Sequence, residues 1–235
     1  MSTLLSVCLE NSLLGCLPNS ESNNLLAASE SVELAMGQIL CEAQEPYAYV
    51  YFPQRGFISV MTSLDHHPAL EVGLIGREGM LGSSLVLDMN RAPMHGVVQA
   101  SGQALRMSCE QFSEQLRLNP SLPRLIRRYQ HVLFQQMPLT TACIHYHEVA
   151  HRLARFLSMA TDRVEEKRLH FTHLFLANIL GVRRSSITLA AQQLQDQGLI
   201  HYSRGSIEVL DRQGLAQGAC SCYAALNGIY QQMLE

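Results

Sequence analysis

The chain has 235 residues, of which 47% are hydrophobic and 16% are charged. This composition excludes an intrinsically disordered protein, and a chain of this length buries roughly 70% of its unfolded surface, enough for one large domain or two modest ones. The apolar runs fall short of the ~20 residues of a membrane helix, and the N-terminus does not follow the basic-then-apolar order of a secretory signal. We therefore expect no membrane partner and a cytoplasmic location.

The cysteines favour the same compartment. They are odd in number and scattered, which is typical of a reducing environment rather than of a disulfide framework. They are Cys8, Cys16, Cys41, Cys109, Cys143, Cys220 and Cys222.

The net charge of −3 hides an asymmetry between the two halves of the chain. Residues 1–118 carry five Arg and twelve acidic residues, net −7, whereas residues 119–235 carry eleven Arg, one Lys and eight acidic residues, net +4. Arginine forms bidentate hydrogen bonds to phosphate and guanine better than lysine does. The second half is therefore where an anionic partner is expected, although compositional drift also accounts for such a bias.

The first half of the sequence has the pattern of a small all-β domain. Short strand-like segments alternate with turn-forming residues, a spacing that favours a barrel or jelly roll. His66 and His67 fall in a predicted hairpin tip, where exposed loop residues are expected rather than ligands. The predicted strands are 48–52, 57–61, 70–75, 97–100 and 104–107.

A long helix is predicted over residues 121–146, and Asn119, Pro120 and Pro123 mark its start. One apolar stripe repeats at alternating steps of four and three, as in a heptad seam, and predicts a dimer interface through Leu125, Tyr129, Val132, Gln136, Leu139 and Cys143. A second stripe lies beside it at Ile126, Leu133, Met137, Thr140 and Ile144, so one stripe would meet a partner helix and the other the chain's own barrel. Pro138 predicts a kink or break. An ordinary core helix of a monomer is the alternative.

The segment that follows has the pattern of a helix-turn-helix. Thr172 is a good N-cap for a helix over 173–180, Gly181 permits a tight turn, and a second helix over about 184–197 ends before Gly198. Strand-like residues 199–202 and 206–210 then predict a wing. The outward residues predict DNA contacts, with base contacts from the second helix and phosphate contacts from its start and the wing turn. They are Arg183, Arg184, Ser185, Ser186, Thr188, Leu189, Gln192 and Arg204.

With these parts in this order, residues 30–212 resemble the bacterial transcription factors of the cyclic-AMP receptor and fumarate-nitrate regulator (Crp/Fnr) family. The most specific stretches are 174–190 and 194–200. The resemblance implies an α+β fold with an N-terminal cupin-like β-roll, similar to cyclic-nucleotide-binding domains, a long dimerisation helix and a C-terminal winged helix-turn-helix. It also implies a homodimer that binds an inverted repeat in double-stranded DNA and acts on RNA polymerase.

The sequence departs from the cyclic-AMP-binding members of that family. The position of their ribose-binding Glu falls on Ser83, and that of their phosphate-binding Arg falls on Pro93. A buried cyclic phosphate without its cation is costly, so we expect an effector other than cyclic AMP, of unknown identity. Ser83, Ser84 and Arg91 are candidate anion-binding residues, with exposed loop residues as the alternative.

Metal sites are not expected. Cys8 and Cys16 lack the further nearby cysteine that the resemblance requires for an iron-sulfur cluster, and Cys220 and Cys222 are spaced too closely for a good zinc half-site without a partner pair. No cofactor is therefore predicted.

Two other functions remain open. The run His147-Glu148-Val149-Ala150-His151 has the H-E-x-x-H pattern of zinc peptidases, in which the two His bind the metal and the Glu activates water, but no third ligand follows at the usual spacing. A β-roll binding module whose winged helix contacts only proteins is the other alternative. The preferred interpretation is not an enzyme but a homodimeric regulator, with a sensor domain over 1–118, a dimerisation helix over 119–146 and a DNA-binding domain over 147–235.

Overall fold

The computed structural model describes residues 10–164 and 168–234. Cys8 therefore lies outside the described residues. Ten strands are present in this part of the chain: β1 (Glu30–Leu34), β2 (Ile39–Cys41), β3 (Tyr49–Pro53), β4 (Phe57–Thr62), β5 (Leu70–Ile75), β6 (His95–Ala100), β7 (Gly102–Ser108), β8 (Arg168–Leu169), β9 (Ile200–Ser203) and β10 (Ser206–Val209).

The helices of the described residues connect and cover these strands. They are α1 (Ser12–Gly15), α2 (Asn19–Ala28), α3 (Cys109–Leu118), α4 (Ser121–Tyr146), α5 (Val149–Thr161), α6 (His173–Leu180), α7 (Arg184–Asp196), α8 (Arg212–Gly218) and α9 (Cys222–Leu234), with a short 3₁₀-helix at Ser83–Leu87. None of them is both long enough and apolar enough to cross a bilayer.

The first half of the chain is the predicted β-roll. Two antiparallel sheets, with strand orders β1-β7-β3 and β2-β6-β4-β5, face each other. Residues from both sheets fill the space between them, among them Tyr51 of β3, Ile58 of β4 and Val98 of β6. The five predicted strands are all present, and β1 and β2 are additional.

The turn after β5 depends on two glycines. Gly82 has a φ of 92°, which favours glycine, and a Cβ at Gly79 would lie 2.2 Å from the hydroxyl oxygen of Tyr129. Gly79 therefore lets α4 pack closely on the roll, whereas Gly82 permits the left-handed turn and a close approach to Val50 of β3.

The second half forms a helical layer with a wing. The third sheet has the order β8-β10-β9, so the predicted hairpin gains the short strand β8. One continuous apolar core runs from Leu13, through Tyr129 of α4 and Leu157 of α5, to Met233 of α9. The helices α8 and α9 lie beyond the predicted elements, and α9 packs back against α4.

An ion pair links the roll to the helical layer. The Arg163 Nη2 and Nε atoms donate to Oε1 of Glu78 at 2.7 and 2.9 Å, and its Nη1 donates to the carbonyl oxygen of Met159 at 2.7 Å. Both side chains are largely buried, with 7% exposure for Arg163 and 14% for Glu78. The two halves are thus held together by charge as well as by apolar packing.

Candidate nucleic-acid interface

The first helix of the motif begins and ends where the sequence predicts. The Oγ1 of Thr172 accepts a hydrogen bond from the Phe175 amide at 3.1 Å, and Gly181 ends α6 with a φ of 63°. A Cβ at Gly181 would lie 2.8 Å from Cδ1 of Leu70 in the roll. Glycine therefore serves both the tight turn and the close approach to β5.

The second helix, α7, has one buried and one exposed face. Its inward side chains pack in the core at Ile187, Ala190, Ala191 and Leu194. Its outward side chains are all exposed, at Arg184, Ser185, Thr188, Leu189 and Gln192. Leu189 has 73% of its surface exposed, so its side chain is accessible to a partner.

Hydrogen bonds organise the middle of this exposed face. The Thr188 hydroxyl lies 3.2 Å from the Arg184 carbonyl oxygen, to which it donates, and Nδ1 of His173 lies 3.0 Å from the same hydroxyl. We assign the proton to Nδ1, because the Thr188 oxygen is then left to accept. Farther along the helix, Nε2 of Gln192 donates to Oδ1 of Asp196 at 2.7 Å.

His173 is a residue of this surface that the sequence did not single out. Its ring stacks on Tyr202 of the wing, with 4.1 Å between the centroids. Burial, and then the charge of Arg184, lower its pKa below the ordinary value, so the ring is neutral near pH 7. A histidine directly after an N-cap carries no sequence signal for such a contact, because its partners come from α7 and β9.

Basic residues border the exposed face. Arg183 precedes α7 in an extended backbone conformation and is exposed, as is Arg204 in the turn between β9 and β10, where φ is 49°. Ser186 is half-buried, and its amide donates to the Arg183 carbonyl oxygen at 3.0 Å. Three cationic side chains and a helix N-terminus therefore lie on one surface, an arrangement that attracts phosphate.

The predicted dimer seam is corrected by the structure. Leu125, Tyr129, Val132, Gln136 and Cys143 are buried within the single chain, and Leu139 is half-buried. They lie against the roll and α9, so the seam offers little surface to a second subunit. The side chains that α4 leaves exposed include those of Phe134, Met137 and Ile144, two of which belong to the second stripe. The helix also continues through Pro138 without a break.

Of the three candidate effector residues, Ser83 and Arg91 have hydrogen-bond partners within the chain. Ser83 is buried, and its Oγ accepts a hydrogen bond from Nε2 of Gln130 on α4 at 2.9 Å, while Ser84 is half-buried beside it. Arg91 is exposed, and its Nη1 donates to the Gln44 carbonyl oxygen at 2.6 Å. Their part in effector binding stays a prediction. His66 and His67 are exposed between β4 and β5, as expected.

The H-E-x-x-H run does not form the peptidase arrangement. His147 ends α4, Glu148 precedes α5, and only His151 lies within a helix, whereas the two zinc-binding His of a peptidase share one helical face. The Nδ1 of His151 lies 2.7 Å from the Gly218 carbonyl oxygen, and Nδ1 of His147 lies 3.6 Å from the Cys222 sulfur. The two rings therefore have different partners.

Comparisons with known proteins agree with this geometry. Residues 151–217 match the family model described as the Crp-like helix-turn-helix domain. No curated protein matches the chain.

Solved structures share the fold at low identity. FixK2 from Bradyrhizobium japonicum aligns with a TM-score of 0.67 and 13% identity, covering 82% of this chain and 98% of its own. The c-di-GMP-responsive regulator CLP from Xanthomonas campestris has a TM-score of 0.65 and 17% identity, covering 83% of this chain and 100% of its own. A regulator of the Crp/Fnr family from Eubacterium rectale has a TM-score of 0.62 and 20% identity, covering 89% and 98%. CLP and the Eubacterium rectale protein are described as regulators, and this chain carries a Crp-like helix-turn-helix domain within a fold that it shares with the Crp/Fnr regulator.

Proposed function

We propose that this protein is a sequence-specific DNA-binding transcriptional regulator. The observation that carries the proposal is the exposed face of α7, with Arg183 and Arg184 at its start. Two adjacent arginines are not needed to pack a tight turn, whereas a major groove presents guanine and phosphate acceptors at the start of an inserted helix.

The proposed roles follow from side-chain chemistry. Arg184 forms a bidentate contact with guanine, Leu189 contacts a thymine methyl group, and Ser185, Thr188 and Gln192 bond base edges or phosphate. Thr188 and Gln192 already have partners on α7, but the Thr188 oxygen can still accept a hydrogen bond, and the Gln192 amide has a second hydrogen and its oxygen for such contacts. Arg183, Ser186 and Arg204 contact phosphate, which sets affinity and register rather than sequence.

A homodimer on an inverted repeat is the second part of the proposal. The support is the exposed apolar surface of α4, where Phe134 is 69% exposed and Met137 44%. Such a stripe along a helix is typical of a surface that a second helix covers. Two copies joined there would present two α7 helices to major grooves separated by about one DNA turn, ~34 Å.

The signal is proposed to act at the β-roll and to differ from cyclic AMP. None of the arginines in residues 10–118 is a buried free cation that suits a cyclic phosphate. Arg77, Arg91 and Arg117 are exposed, Arg55 pairs with Glu10, and Arg106 pairs with Glu30. Contact with RNA polymerase, and action in the cytoplasm where the DNA is, follow from the resemblance and belong to the same proposal.

Selection of bound sequences from random DNA tests the proposal most directly. We expect a palindromic consensus with half-sites about one helical turn apart, and log K that falls steeply with log salt. Changing Arg183 and Arg184 together to Ala should abolish DNA binding. Changing Arg117 and Arg124 to Ala removes the same charge elsewhere and should preserve DNA binding. Absence of DNA retention by the folded wild-type protein would leave the protein-binding module as the better function.

A further inference from the structure

Four side chains that can ligate a metal meet where the C-terminal end of α4 approaches the start of α9. They are Cys143, His147, Cys220 and Cys222, and their ligand atoms all lie within 4.8 Å of one another. The Cys143 and Cys220 sulfurs are 3.4 Å apart, and the Cys222 sulfur is 3.6 Å from Nδ1 of His147.

The fold explains why these four residues are together. Cys143 and His147 are four residues apart, which places both on one side of the last turn of α4. The Cys220 amide donates to the His151 carbonyl oxygen at 3.3 Å, which holds the second pair against the start of α5. From the sequence, Cys220 and Cys222 were not expected to form a zinc half-site without a partner pair, and Cys143 and His147 provide that pair from a distant part of the chain.

The site is shielded from solvent. Cys143, Cys220 and Cys222 are buried, and His147 is half-buried. The three cysteines form a small cluster of their own, beside Leu139, rather than part of the main apolar core. Buried cysteines ordinarily pack as small hydrophobic residues, so a separate cluster that also holds an imidazole indicates another role.

The separations fit a single ion. A tetrahedral zinc site with Zn–S bonds of about 2.3 Å places its sulfurs about 3.8 Å apart, close to the distances seen here. A multi-iron cluster distributes its cysteines over several iron atoms and needs wider spacing. Three thiolates with one neutral imidazole are a donor set that favours zinc over the harder cations.

A cationic side chain also lies beside the four ligands, because the Arg155 guanidinium interacts with the Cys143 sulfur. Zinc with three thiolates has a net charge of −1, which the cationic Arg155 offsets. Arg155 is held nearby, with Nη2 at 3.4 Å from Oγ1 of Thr140.

We propose that Cys143, His147, Cys220 and Cys222 form a structural zinc site that fastens the C-terminal helix α9 to the end of α4. Binding displaces up to three thiol protons to solvent and involves no oxidation. Because His147 directly follows α4, at the start of the DNA-binding half, the site also fixes where that half begins relative to the long helix.

Cobalt titration of the full-length protein tests the proposal. Reduced protein is stripped with a chelator and titrated with Co²⁺ alone, followed by displacement with Zn²⁺. We expect one equivalent per chain, with the thiolate-to-cobalt charge-transfer band and intense visible absorption of tetrahedral coordination, and loss of both when zinc is added. Zinc should also raise the melting temperature, since it binds only the folded site.

Variants locate the ion. Cys220→Ser and His147→Gln should each weaken metal affinity by more than the ~10–100-fold that loss of an outer-shell partner costs. Cys109→Ser is the matched control, because Cys109 is a partly buried thiol at the start of α3, far from the site in sequence, that donates to the Tyr47 carbonyl oxygen. If Cys220→Ser fails to fold, two measurements still decide the result. They are the number of Co²⁺ ions bound per wild-type chain and the loss of metal affinity in His147→Gln.

Two results would overturn the proposal. One is wild-type protein without the tetrahedral cobalt spectrum at one equivalent. The other is a Cys143–Cys220 disulfide, found by peptide mapping of protein trapped with an alkylating agent at lysis, which would make the cluster a thiol pair rather than a metal site.

Discussion

At the scale of single residues, Glu71 is the most perturbed carboxyl group of the roll. It lies on β5, accepts a hydrogen bond from the Ser59 hydroxyl, and lines a narrow cavity between the roll, α4 and α5. Burial raises the pKa of Glu71 from its ordinary value of 4.5 to about 7, although Ser59, Arg155 and Arg163 act to lower it. The folded protein therefore retains a proton that the unfolded chain releases.

This shift predicts a pH dependence of stability. Between the ordinary value of 4.5 and about 7 the folded state binds more protons than the unfolded state, so the free energy of unfolding falls as pH rises through that window. Glu71→Gln keeps the hydrogen bond to Ser59 without the titrating group. In this variant the melting temperature should therefore change less with pH between pH 5 and 8. Glu33→Gln, at an exposed position of the same domain, should leave the slope unchanged. An unaltered slope in Glu71→Gln would show that another group titrates.

At the scale of elements, α4 shows what a sequence pattern can and cannot decide. Its bounds at 121–146, its two apolar stripes and the helices of the DNA-reading motif follow from local rules of capping and periodicity. Which stripe faces the roll depends on neighbours far away in the chain. Tyr129 packs against Gly79 and lies near Tyr230, and the sequence of α4 does not predict either of these neighbours.

The same limit explains what was missed elsewhere. The strand β8 has only two residues and exists because it pairs with β10, and α9 depends on the surface that α4 offers. The exposure of Arg184, Ser185, Thr188, Leu189 and Gln192 could be predicted, because the outward and inward positions of a helix follow from its own periodicity. The metal-ligand cluster was not found, because its two halves are more than seventy residues apart.

The exposed stripe of α4 makes a prediction about assembly. Phe134→Glu places a charge in the proposed dimer interface and should convert a dimer to a monomer in sedimentation, while circular dichroism shows a folded chain. The chain tolerates the change because Phe134 makes few contacts within it. Leu118→Glu, at another exposed leucine with 61% exposure, should remain dimeric. A dimeric Phe134→Glu protein would place the interface elsewhere.

At the scale of the whole molecule, the pair of Arg163 and Glu78 unites the two halves of the chain. Removing one partner of a buried pair leaves the other charge without compensation, which costs about 3–5 kcal/mol of stability. Arg163→Met should therefore lower the free energy of unfolding strongly in urea, measured by circular dichroism.

The control is the exposed pair of Arg55 and Glu10, whose side chains are 49% and 40% exposed. Arg55→Met should cost at most about 1 kcal/mol, because solvent screens that pair. In the double variant Arg163→Met/Glu78→Gln the loss should be smaller than in Arg163→Met alone, since no unpaired charge remains. A loss as small as that of Arg55→Met would show that apolar packing alone joins the two halves.

The return of α9 onto the long helix bears on how the protein can be re-engineered. The match to the Crp-like helix-turn-helix family model ends at residue 217, whereas α9 begins at Cys222, and Nη2 of Arg128 donates to the Gln232 carbonyl oxygen at 3.0 Å. A chimera with the DNA-binding domain of another regulator should therefore replace only residues 151–217 of this chain and keep its native C-terminal helix α9. Exchanging all residues from 151 to the C-terminus would remove the packing of α9 on α4 together with the DNA sequence specificity.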